Sequence, residues 1–273
     1  YYQMIKSSKK NKDYSYIFID EFQDTNNLQY MILKSLITKK TKVLCVGDPD
    51  QSIYRFRGAE PKIINEFIKD FEAKTEMLTI NYRSNSSIIS HANRLIKRNY
   101  RNLKKDLQPY HKHTNQVTSY IFMSIDEESY MIKKTIESYI ASGIKPYEIA
   151  ILYRNHYRSF DLINFFKRED FNYYQEIKHS NNINLINMLT IHQAKGLEFE
   201  VVIILGLESN VFPSRHSNQK QFLEEERRLM FVAMTRAKEH LIFTHIRYDN
   251  YFQRQSPSLF IKESGIKSKI YKV

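Results

Sequence analysis

The chain has 273 residues, which is long enough for two compact domains with hydrophobic cores. Its net charge of +12 and its pI of about 9.4 favour a polyanionic partner, of which nucleic acid is the first candidate. The longest apolar runs are too short to span a bilayer, and the single cysteine, Cys45, excludes an internal disulfide framework and suits a reducing cytoplasm.

Short β-rich runs alternate along the chain with stretches that carry apolar residues at helical spacing. The predicted strands are residues 16–19, 43–46, 77–80, 118–122, 149–153, 188–191 and 201–205. The predicted helices are residues 28–37, 126–142, 156–168 and 221–234. This alternation predicts βαβ units and an α/β fold, with several strands buried on both faces of a parallel sheet. The basic segment 94–105 is interpreted as the solvated face of a helix.

The first predicted strand runs directly into two carboxylates, in the sequence YIFIDEFQDTN (residues 16–26). Asp20 and Glu21 would then lie at the C-terminal edge of a parallel sheet, where α/β folds bind ligands. There an aspartate can hold Mg²⁺ through water, and a glutamate can orient and deprotonate an attacking water. The alternative is an acidic turn that caps the following helix, and the dipeptide alone favours that alternative.

Four further motifs follow in order along the chain. They are VGDPDQSIYRFRGAE (residues 46–60), INYRSN (80–85), LTIHQAKGLEFEVVII (189–204) and EEERRLMFVAMTRAKEHL (224–241). Together with IDEFQDTN, these motifs resemble the superfamily 1 DNA helicases of the UvrD, PcrA and Rep type. The resemblance extends over nearly the whole chain, from residue 16 to residue 263, and five motifs in the family order make it highly specific.

The resemblance implies an α/β, RecA-like P-loop NTPase fold. Residues 1–72 are expected to form the C-terminal part of a first motor domain, and residues 73–273 a nearly complete second motor domain. The implied cofactors are ATP and Mg²⁺, with ATP bound between two RecA-like domains whose closing and opening would drive steps along DNA.

The resemblance also implies roles in nucleotide chemistry for particular residues. Asp20 would serve Mg²⁺, and Glu21 would be the catalytic base. Gln51 would sense the γ-phosphate and the attacking water; its alternative is an ordinary turn residue that caps a helix. In the second domain, Tyr82 would stack on adenine, Arg83 and Arg236 would reach the γ-phosphate, and Gly196 and Glu198 would contact the nucleotide, with Glu198 at the ribose.

The same motifs supply candidate contacts to nucleic acid. SIYRFRG interleaves aromatic residues with arginines, which is the composition of a loop that stacks on bases and binds phosphates. Tyr54, Arg55 and Phe56 are the candidates, although Phe56 could instead be buried. Thr190 and His192 resemble residues that meet the DNA backbone at the second motor domain.

Other charged residues of these motifs are interpreted as solvent-exposed surface residues. For Arg227, Arg228 and Lys238 the expectation is simply a charged helix face.

The phosphate-binding loop of this family is not found in the chain. A Walker A motif needs a glycine, four residues and then Gly-Lys-Ser/Thr, and none of the six glycines is followed by lysine. In the family this loop precedes the Asp-Glu strand, and here only 19 residues precede Asp20. Because the chain also starts at Tyr1 rather than Met, it is expected to begin inside a longer polypeptide.

A large accessory domain of the family is also absent from its expected place. Only the polar stretch 176–186 stands where that domain would be inserted.

The sequence therefore predicts part of an ATP-dependent DNA helicase or translocase that acts on single-stranded DNA and duplex junctions, without membrane attachment. The resemblance implies 3′-to-5′ polarity, while the oligomeric state is not indicated. Two alternatives stay open, namely a non-catalytic nucleic-acid-binding or regulatory fragment and the motor part of a helicase–nuclease subunit. The fragment without the phosphate loop is expected to be inactive by itself.

Overall fold

The computed structural model describes residues 14–174, 184–215 and 219–271. It divides the chain into two compact units, Tyr1–Leu78 and Thr79–Val273. Most of the polar stretch 176–186 lies outside the described residues. Within the described ranges, no helix is both long and apolar enough to cross a membrane.

The first unit is built around two parallel strands. Strand β1 (Tyr16–Ile19) is connected through helix α1 (Asn27–Leu36) to strand β2 (Lys42–Cys45), and helix α2 (Lys62–Phe71) follows. Asn26 caps α1, because its side chain accepts a hydrogen bond from the Gln29 backbone and the Gln29 side chain bonds back to Asn26. The parallel pairing places the C-terminal ends of β1 and β2 at the same edge of the sheet.

The core of this unit lies on one face of the two strands. Phe22, Tyr30, Leu33, Ile63 and Phe67 form it, with inward side chains of β1 and β2 packed against them. The opposite face carries exposed apolar side chains, namely Tyr16, Phe18, Leu44 and Val46. The predicted burial of several strands on both faces does not extend to β1 and β2, since only alternate residues of each strand are covered.

The second unit is a parallel α/β sheet. In chain order its elements are β3 (Ile80–Asn81), α3 (Ser86–Ile96), β4 (Gln108–Pro109), β5 (Thr118–Phe122), α4 (Ile125–Ala141), β6 (Ile149–Tyr153), α5 (His156–Arg168), β7 (Tyr173–Tyr174), β8 (Ile186–Thr190), β9 (Phe199–Leu205), α6 (Lys220–Met234), β10 (Ala237–Ile246), α7 (Leu259–Ser264) and β11 (Ser268–Ile270). Seven of these strands form one sheet in the order β11-β5-β10-β9-β6-β8-β7, and all of its strand pairs are parallel. Strands β3 and β4 form a separate parallel pair.

The centre of the large sheet is buried on both faces. Alternate residues of β6 and β9 pack against α4 and α5, in a cluster that includes Ile132, Ile151, Phe166 and Ile203. The residues between them are also buried, and α3 and α6 contact β9 or β10. This double burial explains why IAILY and VVIIL are apolar at every position.

A buried ion-pair cluster joins helices α4 and α5 to the segment that follows β9. Arg158 on α5 donates from Nε to Glu208 Oε2 at 3.0 Å and from Nη2 to Glu128 Oε2 at 2.7 Å. All three side chains are almost fully buried, so their charges depend on one another for compensation.

Two local predictions differ from the structure, and several of its elements were not predicted. Of the strand predicted at 77–80 only Ile80 is in a strand, and Leu78 is 84% exposed. The helix expected over 94–105 ends at Ile96, and Arg101 beyond it pairs with Asp106 at 3.2 Å. Helices α2 and α3 and the ten-residue strand β10 were not predicted.

Candidate functional site

The acidic turn after β1 is compact and solvent-exposed. Asp20 and Glu21 are both exposed, and the Glu21 backbone N–H donates to Asp20 Oδ1 at 2.8 Å. Glu21 has a φ of 51°, in the left-handed region that non-glycine residues seldom adopt. Backbone strain of this kind is common at functional sites, and here it bends the chain so that the two carboxylates stand at the strand end.

A glutamine connects this turn to the end of β2. Gln23 donates from Nε2 to the Glu21 carboxylate and accepts from the Asp48 backbone N–H at 2.8 Å. Gln51 in turn donates from Nε2 to Asp48 Oδ2 at 2.8 Å. The structure therefore links the predicted residues Glu21 and Gln51 through Gln23 and Asp48, at the sheet edge where β1 and β2 end.

The loop that carries Tyr54, Arg55 and Phe56 presents aromatic and basic groups together. The Tyr54 and Phe56 rings meet edge to face at 5.9 Å, and the Arg57 guanidinium lies 4.9 Å and 5.4 Å from their centroids. Phe56 is 68% exposed and Arg55 is exposed, so Phe56 is not a core residue. Aromatic faces next to guanidinium groups can stack on bases and bind phosphates.

In the second unit a cleft of about 670 Å³ collects several predicted residues. Its lining includes Asn81, Tyr82, Arg83, His111, Glu198, Glu200 and Lys238. The segment after β3 is fixed to the start of β10, because Ser84 Oγ donates to the Ala237 carbonyl and Asn85 Nδ2 donates to the Glu239 carbonyl. Asn85 also caps α3.

Charge pairing orders the polar side of this cleft. Arg83 Nε lies 2.8 Å from Glu198 Oε2, and Lys238 Nζ lies 3.2 Å from Glu198 Oε1 and 3.4 Å from Glu200 Oε1. Hydrogen bonds from Arg83 and then Lys238 hold the pKa of Glu198 below its usual value. The expectation of a charged helix face is wrong for Lys238, which lies on strand β10.

Tyr82 forms the aromatic side of the cleft. Its ring is 64% exposed and packs at 4.8 Å against Tyr110, and His111 Nε2 lies 3.0 Å from the Tyr82 carbonyl oxygen. One face of the Tyr82 ring is therefore supported by protein.

Arg236 is built into the domain rather than extended from it. Its side chain is 2% exposed and donates from Nε to the Val232 carbonyl and from Nη1 to the Leu197 carbonyl, both at 3.1 Å. These bonds tie the C-terminal end of α6 to the turn that holds Gly196, which is exposed with a φ of +86°.

The two other predicted DNA contacts lie around the end of β8. Thr190 N donates to Gln193 Oε1 at 2.9 Å, and the Gln193 backbone N–H donates to Thr190 Oγ1 at 3.2 Å. This turn orders the start of the HQAKG segment. His192 within it is half-buried.

The charged helix face expected for Arg227 and Arg228 is only partly present. Arg227 is buried on α6, where it donates to Glu263 at 2.7 Å and to Asn99 at 3.2 Å. Arg228 is half-buried. Arg227 therefore binds the C-terminal helix α7 to the unit, and the prediction is wrong for it.

Two helicase family domains match the chain, one in each of its two units. The UvrD/REP helicase N-terminal domain matches residues 5–72, and the UvrD-like helicase C-terminal domain matches residues 76–176 and 173–248. The chain belongs to the UvrD-like helicases. This confirms the family resemblance and the α/β, RecA-like fold class predicted from the motifs.

Several curated DNA helicases are similar to different parts of the chain. A probable DNA helicase from Mycoplasma pneumoniae is 32% identical over 90% of this chain and 46% of its own length. The helicase Rep from Buchnera aphidicola is 40% identical over 57% of this chain and 25% of its own length. PcrA from Staphylococcus epidermidis is 40% identical over 54% of this chain and 20% of its own length. The chain thus spans less than half the length of these relatives.

Among solved structures, the C-terminal domain of a possible DNA helicase from Lactobacillus plantarum aligns with 70% of this chain and 99% of its own length. The identity is 14% and the TM-score 0.48, too low to carry an argument.

Several residues of the two sites were not singled out from the sequence, among them Gln23, Asp48, Arg57 and Glu200, and Lys238 was assigned to a helix face. Gln23 and Arg57 lie within or beside the quoted motifs, so their position was a usable signal. Lys238 was considered, but its partners Glu198 and Glu200 come from another strand and its neighbouring turn, which only the fold brings close.

Proposed function

We propose that this chain is part of an ATP-dependent motor that moves on single-stranded DNA, with 3′-to-5′ polarity. The observation that carries the proposal is the linked acidic turn, in which Gln23 joins Glu21 to the Asp48–Gln51 turn at the ends of two parallel strands. Such an edge is where α/β folds bind and process ligands.

Three side chains of the first unit, those of Asp20, Glu21 and Gln51, act in ATP hydrolysis. Glu21 orients the attacking water and accepts its proton, and Gln51, held by Asp48, contacts that water and the γ-phosphate. Mg²⁺ is usually bound by one or two carboxylates together with water and substrate phosphates, so the exposed Asp20 at the end of β1 would hold it. Bound there, Mg²⁺ supplies neutralisation of phosphate charge.

The second unit supplies the recognition of the nucleotide. Tyr82 offers a supported aromatic face to adenine, Gly196 and Glu198 contact the sugar side, and Arg83 reaches the γ-phosphate. Arg236 is the second arginine of the proposal, and to reach a phosphate it would exchange its bonds to the Val232 and Leu197 carbonyls.

DNA contact is assigned to exposed groups in both units. Tyr54, Arg55 and Phe56 would stack on bases and bind phosphates, while Thr190 and His192 would meet the backbone. The net charge of +12 adds attraction that depends on salt. Duplex junctions are included as substrates because strand separation follows from movement on one strand.

The proposal places the phosphate-binding loop in polypeptide outside these 273 residues. The complete motor is defined here as this chain joined to such a segment. In the complete motor, Arg83→Ala should lower kcat by about 10²-fold or more while nucleotide still binds. The matched control is Arg98→Ala, an exposed arginine outside the cleft.

Equal kcat values for Arg83→Ala and wild type would refute the assignment of the cleft. If the complete motor binds DNA without ATP turnover, the chain belongs to a non-catalytic nucleic-acid-binding protein.

A further inference from the structure

Glu198 is held from both sides by two different cations. Arg83 Nε contacts Oε2 at 2.8 Å, and Lys238 Nζ contacts Oε1 at 3.2 Å. Because each cation takes one oxygen, together they fix the plane of the carboxylate.

The backbone places Lys238 at this point. The pairing of β10 with β9 shifts between Ala237 and His240, which pair with Phe199 and Val201, so β10 carries one extra residue there. Bulges of this type redirect side chains near active sites. The Asn85 backbone N–H donates to the Lys238 carbonyl at 3.0 Å, which ties the bulge to the segment that bears Arg83.

Arg83 can leave Glu198 more readily than Lys238 can when a nucleotide binds. Besides its contact with Glu198, the Arg83 guanidinium makes one long bond among the described residues, from Nη1 to the Thr235 carbonyl at 3.3 Å. A triphosphate competes for its guanidinium, because phosphates are strong bidentate acceptors. Lys238 is held in place by Glu200 at 3.4 Å and is two-thirds buried.

We propose that Lys238 is a positioning residue that holds Glu198 toward the ribose hydroxyls once Arg83 has moved to the phosphates. This inference rests on the proposed function and extends it to the choice of substrate. Lys238 then sets the preference for a ribonucleoside triphosphate over one that lacks the 2′- and 3′-hydroxyls.

The test compares ATP with 2′,3′-dideoxyATP in the complete motor. Lys238→Met should raise the KM for ATP by about tenfold, since a hydrogen bond to a charged group is weakened. The KM for dideoxyATP should change less than twofold, because that nucleotide cannot use Glu198. Lys238→Arg should retain the preference for ATP, and the exposed control Lys269→Met should leave both KM values unchanged.

Two outcomes would overturn the inference. One is an unchanged ratio of the two KM values in Lys238→Met. The other is an equal loss of kcat with both nucleotides, which would mean a purely structural or phosphate-directed role. If the wild-type complete motor shows no ATP turnover, the proposed function is overturned as well. If the wild type is active but Lys238→Met leaves the ratio of the two KM values unchanged, only this inference is overturned.

Discussion

Gly47 and Gln23 approach so closely that a Cβ atom at residue 47 would lie 2.6 Å from Gln23 Oε1. Gln23 uses that oxygen to accept from the Asp48 backbone N–H while its amide donates to Glu21. The absence of a side chain at residue 47 therefore allows the connection between the two strand ends.

Gly47→Ala should displace Gln23 and release Glu21 from the Asp48 turn. In the complete motor we expect kcat to fall by about 10-fold to 100-fold, because small misplacements of catalytic groups cost that much. The KM for ATP should change little. Steady-state kinetics of Gly47→Ala, Gln23→Ala and the double variant separate the causes. Most of the loss from Gly47→Ala should disappear when Gln23 is already gone, leaving only the effect of the 3.2 Å approaches to the Phe22 and Gln23 backbone nitrogens. Additive losses would contradict this explanation.

Phe56→Ala should weaken binding of the 273-residue chain to single-stranded DNA. Stacking on one base is typically worth about 1–3 kcal/mol, and the salt slope should stay nearly unchanged because no charge is removed. Fluorescence anisotropy with a labelled oligothymidine over several salt concentrations measures both quantities.

The matched control for that experiment is Phe18→Ala, which removes a similarly exposed phenylalanine, 72% against 68%, from the same unit. Equal losses from the two variants, or full affinity of a folded Phe56→Ala, would remove Phe56 from the DNA site.

Arg158→Met should strongly destabilise the second unit. It leaves Glu128 and Glu208 buried without their cation, and breaking such a pair typically costs about 3–5 kcal/mol. Lys134→Met removes an exposed pair with Glu137 and should cost less than about 1 kcal/mol. Urea denaturation of both variants gives the free energies of unfolding, and similar values would show that the buried cluster is not a stabilising element.

Histidine titration predicts a loss of stability in mild acid. Burial lowers the pKa of His245, and of the half-buried His240, below the usual 6.5. Near pH 6.5 these histidines therefore bind protons in the unfolded chain but stay neutral in the folded chain. The free energy of unfolding should be fully retained above that pH and fall as the pH drops below it, through the folded-state pKa values.

His245→Asn should make this decline less steep, and His240→Asn should do so to a smaller extent. Thermal unfolding measured between about pH 7.5 and about pH 5 gives these slopes, because that range brackets the ordinary histidine pKa of about 6.5. Parallel curves for wild type and His245→Asn would exclude His245 as the source.

The sequence pattern predicted the strands with continuous apolar residues, such as IAILY and VVIIL, because burial on both faces leaves no other composition. Helices α2 and α3 have readable signals, with Ile63, Phe67 and Phe71 at helical spacing and Asn85 as a cap. Strand β10 is harder, since it begins with charged residues and contains the polar Thr244 and His245 in buried positions.

Side-chain partners distant in sequence explain the remaining differences. Arg227 resembles a surface residue until Glu263, 36 positions later, and Asn99, 128 positions earlier, are brought to it. The motifs predicted candidate site residues, but not that Arg83 and Glu198 form an ion pair or that Arg236 is buried. Those contacts depend on tertiary packing, which local patterns do not encode.

The most direct test of the central claim is ATP hydrolysis stimulated by single-stranded DNA. It is measured for this chain alone, for the complete motor and for the complete motor with Glu21→Gln. We expect no turnover from the chain alone, because the groups that cradle the β- and γ-phosphates are not among its residues. The complete motor should hydrolyse ATP in a DNA-dependent way, and Glu21→Gln should abolish turnover while ATP still binds. Turnover by the chain alone that Glu21→Gln abolishes, or wild-type turnover by the Glu21→Gln motor, would contradict the claim.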